Sequence, residues 1–180
     1  TEPFSRRRWV EMARELGALA AKVVDPATVQ TAEWVRWKCR YGCGCWGTSL
    51  VCPPSTPTPD QTRAMLDEYR RAVLFEAPLG EVKPIAVALE RRLFLEGHYK
   101  ALGLGAGPCE LCPTCAMDKG CRHADQARPA MEACGIDVFA TARKHMDQLL
   151  PLLRNMESGG YTQKVKVGCE LLGIPVGNPR

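Results

Sequence analysis

The run Cys109-Glu110-Leu111-Cys112-Pro113-Thr114-Cys115, with Cys121 six residues further on, decides how the rest of the chain is read. Three cysteines at intervals of three bring their sulfurs onto one short loop. That is the local spacing of a bacterial-type iron–sulfur loop, which wraps thiolates around a compact polymetallic core. A single tetrahedral zinc more often takes two close ligands from one loop and two from another. Gly107-Pro108 breaks any preceding helix, and Pro113 stiffens the loop. A disulfide knot and a zinc knuckle are the competing readings, because spacing alone does not identify a metal.

A second group lies upstream: Cys39, Cys43, Cys45 and Cys52, the last followed by Pro53-Pro54. Gly42, Gly44 and Gly47 let the backbone fold closely around a bulky ligand. A Cys-Pro pair also closes the ferredoxin run, where that cysteine ligates the other cluster of a pair, so Cys52 suits either site. The two groups account for eight of the ten cysteines and leave Cys134, a buried small hydrophobe or a ninth ligand, and Cys169, read as structural.

A chain of 180 residues can bury one real core, or two small ones, and a single domain over 1–180 is expected. With 46% hydrophobic and 24% charged residues it has the composition of an ordinary globule. No apolar run is long enough to span a bilayer, and no secretory signal is legible, so a cytoplasmic location is expected. In that compartment ten cysteines favour metal ligation over disulfides. The net charge of +4 is modest, and Arg6-Arg7-Arg8 reads as the solvated start of a helix rather than a nucleic-acid patch.

Periodicity predicts a helix over residues 5–24, capped by Ser5 and burying Trp9, Met12, Ala13, Leu16, Leu19, Ala20 and Val23. Residues 33–38 suit a short extended segment in which Trp34 and Trp37 either shield a cluster or serve as core or interface residues. Thr58 and Pro59 open a helix to about residue 72, burying Met65, Leu66, Tyr69 and Ala72; residues 72–76 then form a strand. Pro78-Leu79-Gly80 reads as a turn before the longest helix, 84–100, whose wet side holds Glu90, Arg91 and Arg92. His98 and Tyr99 end that helix, as packed or capping residues or as proton-transfer groups. Residues 101–104 suit a short strand, and the glycines at 103, 105 and 107 lack the spacing of a dinucleotide fingerprint. Pro129 opens a helical turn ended by Gly135, and Asp137 caps a further helix that buries Val138, Phe139, Ala142 and Met146. Residues 155–160 read as a turn and 163–167 as a strand. The architecture expected is α+β, with helices around a small sheet and two cysteine loops.

The residues also carry a family resemblance. Lys38-Cys39-Arg40-Tyr41-Gly42-Cys43, Trp46-Gly47 and Cys52-Pro53-Pro54 resemble one signature of a cysteine-rich prokaryotic family of predicted metal-binding proteins, a domain of unknown function. Gly107-Pro108-Cys109 through Cys115, Cys121-Arg122-His123, Arg128-Pro129 and Met131 through Phe139 resemble a second, and Gly97-His98-Tyr99-Lys100-Ala101 is also similar. The chain departs from the family pattern at Trp46 and Ala124 and by its additional Cys45, which leaves both Cys43 and Cys45 as candidate ligands. The resemblance implies iron–sulfur or metal binding in anaerobic-type metabolism and supplies no substrate.

Three functions follow. The first is an iron–sulfur protein with one or two [4Fe–4S] clusters on Cys39, Cys43, Cys45, Cys52, Cys109, Cys112, Cys115 and Cys121, passing electrons to a redox protein or enzyme. Arg122 and His123, beside the second loop, either hydrogen-bond cluster sulfurs and raise the potential or form an ordinary surface pair. The second is an enzyme in which an open iron binds substrate, with a spare thiol such as Cys45 as nucleophile or acid. The third is a structural zinc module.

Overall fold

Gly17 ends the first helix and turns the chain into a strand. The computed structural model describes residues 2–145. Helix α1 runs Glu2–Glu15, beginning upstream of Ser5, and buries Met12 and Ala13 completely. Its solvent face carries Arg7 paired with Glu11 one turn on. Gly17 lies at φ 107°, and the Gly17 and Ala18 amides donate back to the Arg14 and Ala13 carbonyls. That pair of bonds is a Schellman stop, which glycine adopts without steric cost. The apolar pattern continues past it, but residues Ala20–Val24 form strand β1, and Leu19 is exposed rather than buried. The helix expected over 5–24 is therefore a helix followed by a strand.

Strand β1 pairs antiparallel with β2, Ala72–Glu76, in the register Ala20↔Glu76 to Val24↔Ala72. Between them lie a 3-10 turn at Pro26–Thr28, capped by Asp25, and helices α2, Glu33–Gly42, and α3, Pro59–Asp67. Helix α2 replaces the extended segment expected at 33–38. Its i,i+4 neighbours explain the preference: Lys38 lies over the Trp34 ring, and Trp37 packs on Tyr41 at 5.9 Å. Helix α3 starts as its sequence predicts, with a full capping box between Thr58 and Gln61 and Pro59 in the first turn. It ends at Asp67, short of residue 72.

Helix α4, Leu79–Leu95, begins five residues earlier than expected and accommodates Pro84. Pro78 precedes it, so Leu79 and Gly80 are its first residues rather than a turn. Glu90 is not on its wet side: the half-buried carboxylate receives two bonds from the Arg128 guanidinium, at 2.6 and 2.8 Å. Residues 101–104 form no strand; Gly105 instead makes a parallel bridge to Ala130. A 3-10 turn at Glu132–Cys134, ended by Gly135, leads into α5, Val138–His145, where the Asp137 carboxylate accepts from the Ala140 amide. Met146, the strand expected at 163–167, the turn at 155–160 and Cys169 lie outside the described residues. Among the described residues, five α-helices and a two-stranded sheet make the fold α+β. Among the described residues no helix is long and apolar enough to cross a membrane. The chain divides into two units, Thr1–Thr141 and Ala142–Arg180, and both cysteine loops belong to the first.

Two apolar clusters form inside that unit. Met12, Ala13, Ala18 and Leu89 gather Val73, Phe75 and Leu93, whereas Val29, Leu66 and Ile136 gather Met65, Leu104 and Met131. The turn at 132–135 is held beside the second cluster by buried polar bonds. The Thr56 hydroxyl donates to the Ala133 carbonyl, and the Thr62 hydroxyl donates to the Cys134 carbonyl at 2.7 Å. Gly135 sits at φ 78°, and a Cβ there would stand 2.4 Å from the Pro59 ring, so the turn and the start of α3 touch backbone to ring. Thr62 is only 1% exposed. Thr62→Val keeps the shape and strands the Cys134 carbonyl, so it should cost about 1–3 kcal/mol of unfolding free energy. A denaturant titration with an unchanged m-value would show it.

Candidate metal centre

Helix α2 delivers the first cysteines. Cys39 lies in its last turn, where the thiol faces the Glu132 carbonyl at 3.9 Å, and Cys43 ends the helix in an extended conformation. The chain then closes on itself. The Gly47 amide donates to the Pro53 carbonyl at 2.8 Å, and the Cys52 amide to the Ser49 carbonyl at 3.1 Å. Arg36 and Arg40 of α2 lie over the Trp46 ring at 5.9 and 5.4 Å, which fixes this loop against the helix that feeds it. Arg36 also donates to the Thr56 and Pro57 carbonyls, beyond the loop's far end.

The second loop comes to meet the first. Cys45 and Cys52 line one cavity together with Cys109, Cys112, Cys115 and Cys121, and its volume is about 250 Å³. Arg122 and His123 line it too, as the sequence suggested. The Leu50 amide donates to the Cys115 sulfur at 3.4 Å, a direct bond from one loop to the other. Cys39 and Cys43 do not line this cavity, although Cys52 acts electrostatically on Cys39 and Cys43 on Cys52. Cys52 is buried, Cys43 and Cys121 are exposed, and the rest of the eight are half-buried. Cys134 is buried at 2% exposure, as a small apolar residue would be. Among the described residues no three His, Cys, Asp or Glu side chains stand close enough to hold one metal ion: the six sulfurs surround a space rather than converge on a point. A sulfur-rich donor set of this kind suits soft metals.

Burial acts on three thiols of the first group, Cys39, Cys45 and Cys52. It pushes the Cys39 thiol up to about 11, assisted by the neighbouring Cys43 and Glu132. It raises Cys45 and Cys52 as well; Cys43 acts in the same direction on both, whereas Lys83, the Cys52 hydrogen bond to Cys45 and the Ser49 hydrogen bond to Cys52 act against it. Cys134 is likewise pushed up to about 11 by burial. Without a metal these thiols keep their protons, and a bound metal has to displace them.

Two groups at the site were not singled out from the sequence. Lys83, on α4, donates to the Gly107 and Pro108 carbonyls at the entry to the second loop. It lies near enough to Cys45, Cys52 and Cys109 to act on all three, and burial pushes its ammonium below the ordinary value. A Cβ on Gly105 would stand 2.4 Å from the lysine stem, so the glycine makes room for it. Gly105, weighed in the sequence against a dinucleotide fingerprint, gives no local sign of the lysine it accommodates. The second group is Glu132, whose Oε2 is buried without a hydrogen-bond partner. Burial raises its carboxyl, while Lys83 nearby acts to lower it. Beside these groups, α2 presents Trp37 at 63% and Tyr41 at 73% exposure, so neither shields the site or joins the core.

No curated protein and no solved structure matches the chain. The family described as predicted metal-binding protein (DUF2284) matches residues 22–149, a span that holds both cysteine loops, Lys83 and Glu132. The chain belongs to this family of predicted metal-binding proteins.

Proposed function

We propose that the chain is an iron–sulfur protein carrying one or two [4Fe–4S] clusters that passes electrons to a redox partner in the cytoplasm. The observation that carries this reading is the shared cavity: six cysteine sulfurs from two loops around about 250 Å³. A water takes about 30 Å³ of liquid, so the space exceeds what one ion needs. A cluster, when bound, supplies one-electron transfer at a potential set by its surroundings, within about −700 to +450 mV. The chain's own residues supply those surroundings. The Leu50 amide points at the Cys115 sulfur, and Lys83 holds a cation close to Cys45, Cys52 and Cys109. Both stabilise negative charge on sulfur, which raises a potential.

The exposed face of α2 supports the electron-transfer part. Trp37 and Tyr41 flank Cys39 in sequence, and Arg36, Lys38 and Arg40 lie among them. Tryptophan, tyrosine and arginine are the residues that most often carry binding energy at interfaces. The basic groups suit a partner with an acidic face, whose approach they would also speed. A second reading, an enzyme with an open iron position, is favoured by Glu132: a buried carboxylate oxygen without a partner, beside Cys39, is placed to hold a metal or a proton. Zinc stapling the same cysteines is the reading without redox chemistry.

Anaerobically purified protein should contain about four or about eight iron, with equal acid-labile sulfide, and bleach on reduction by dithionite. Cys112→Ala should lose about four iron. Zinc without sulfide, or unchanged iron in the variant, would overturn the assignment. The double variant Trp37→Ala/Tyr41→Ala should keep iron content and spectrum yet slow electron exchange with an acidic redox protein about tenfold at low salt. Stopped-flow mixing measures that rate, and an unchanged rate removes α2 from the docking face.

A further inference from the structure

A second and larger cavity, of about 650 Å³, lies between the two apolar clusters. Val73, Phe75 and Leu89 reach it from one cluster, and Leu66, Leu104 and Ile136 from the other. None of the eight loop cysteines lines it. A concave apolar space of about 300–1,000 Å³ with a few polar groups on its lining is the common form of a small-molecule site.

Its polar lining comes from two short runs that meet: Tyr69-Arg70-Arg71, which leads into β2, and His98-Tyr99-Lys100, which follows α4. The second run belongs to the Gly97–Ala101 motif, which the metal centre does not use. The Tyr69 hydroxyl donates to the Lys100 carbonyl at 2.7 Å. The Trp9 ring takes His98 edge-on at 5.0 Å and Arg71 over its face at 5.7 Å, so these groups also share one side of the cavity. Arg70 and Lys100 thus bring two cations to this side, beside Arg71, which is engaged on Trp9. The acids nearby are engaged. Glu90 lines the cavity, but its oxygens receive Arg128 and the Gly103 amide. Glu68 stands 3.4 Å from Lys100 in an exposed pair, a weak interaction in water. The side is left with an excess of positive charge beside an apolar interior.

We infer that this cavity binds an apolar carboxylic acid, with its hydrocarbon body between the two clusters and its carboxylate at Arg70 and Lys100. The guanidinium fork matches a carboxylate in shape as well as charge. The site is separate from the thiol cavity, yet one short segment borders both. Ala127 lines the thiol cavity, Met131 lines this one, and Glu132 acts on Cys39.

Decanoate and decanol differ at the group the cations would recognise. Calorimetric titration of the full-length, metal-loaded chain should give one saturable decanoate site, about tenfold or more tighter than decanol. Arg70→Gln/Lys100→Gln should erase that preference while leaving decanol affinity, metal content and visible spectrum unchanged. Met65→Trp, which fills part of the cavity, should weaken both ligands. The inference is overturned by any of three results: no saturable binding, equal affinities in the unaltered chain, or a preference that survives the Arg70/Lys100 change. The exposed double variant decides the matter even if Met65→Trp does not fold. The metal readout is separate, so failure of ligand binding is distinguishable from failure of the iron–sulfur reading.

Discussion

The bonds from the Thr56 and Thr62 hydroxyls to the carbonyls of residues 133 and 134 are what the site depends on. Each is buried, and each is worth about 1 kcal/mol net when made and about 1–3 when broken on one side only. Their importance is in what they locate. The same turn places the Glu132 carbonyl against the Cys39 thiol, and Gly135 accepts from the Ala32 amide just before α2 begins. The helix that carries Cys39, the helix that Pro59 opens and the turn that carries Glu132 are therefore positioned by one set of contacts. Substituting the glycine would break them twice, through a positive φ and through the Pro59 ring.

Lys83 acts in the same way on the other loop. Its stem crosses Gly105, its ammonium holds two carbonyls of the Gly107-Pro108 entry, and its charge reaches thiols on both loops. Burial disfavours the ammonium, and nearby thiolates favour it. Negative charge developing on Cys45 or Cys52 would thus stand where the lysine already is. Leu50 contributes an amide dipole to the same task, and that contact also sets the spacing of the two loops.

The α+β class, the capping box at Thr58, strand β2 and the turn closed by Gly135 were all legible in the sequence, because each rests on local chemistry. Helix α2 was not legible: two tryptophans before a cysteine loop fit an extended run equally well, and only the i,i+4 contacts decide. The stop at Gly17 was overlooked because the apolar spacing continues through it into β1. The cysteines of the site could be picked out from spacing, and so could Arg122 and His123. Their partition could not. Division by sequence proximity puts Cys45 with Cys39 and Cys43 and leaves Cys52 suited to either site, whereas the fold turns both toward the second loop. Lys83 and Glu132 were beyond reach, since a lysine on a helix and a glutamate in a turn carry no local signal of what lies opposite them.

The two parts of the described chain differ in what holds them. The sheet, α1 and α4 enclose apolar side chains buried to a few per cent, and that burial stabilises them without any ligand. Residues 109–125 hold no helix or strand, and most of them are exposed. Apart from the Leu50 contact and Lys83, their order has few protein sources. A group bound at these cysteines would stabilise the loop, because metal-binding free energy is then folding free energy. The apolar half supplies α4, from which Lys83 reaches the two carbonyls at the entry of the second loop.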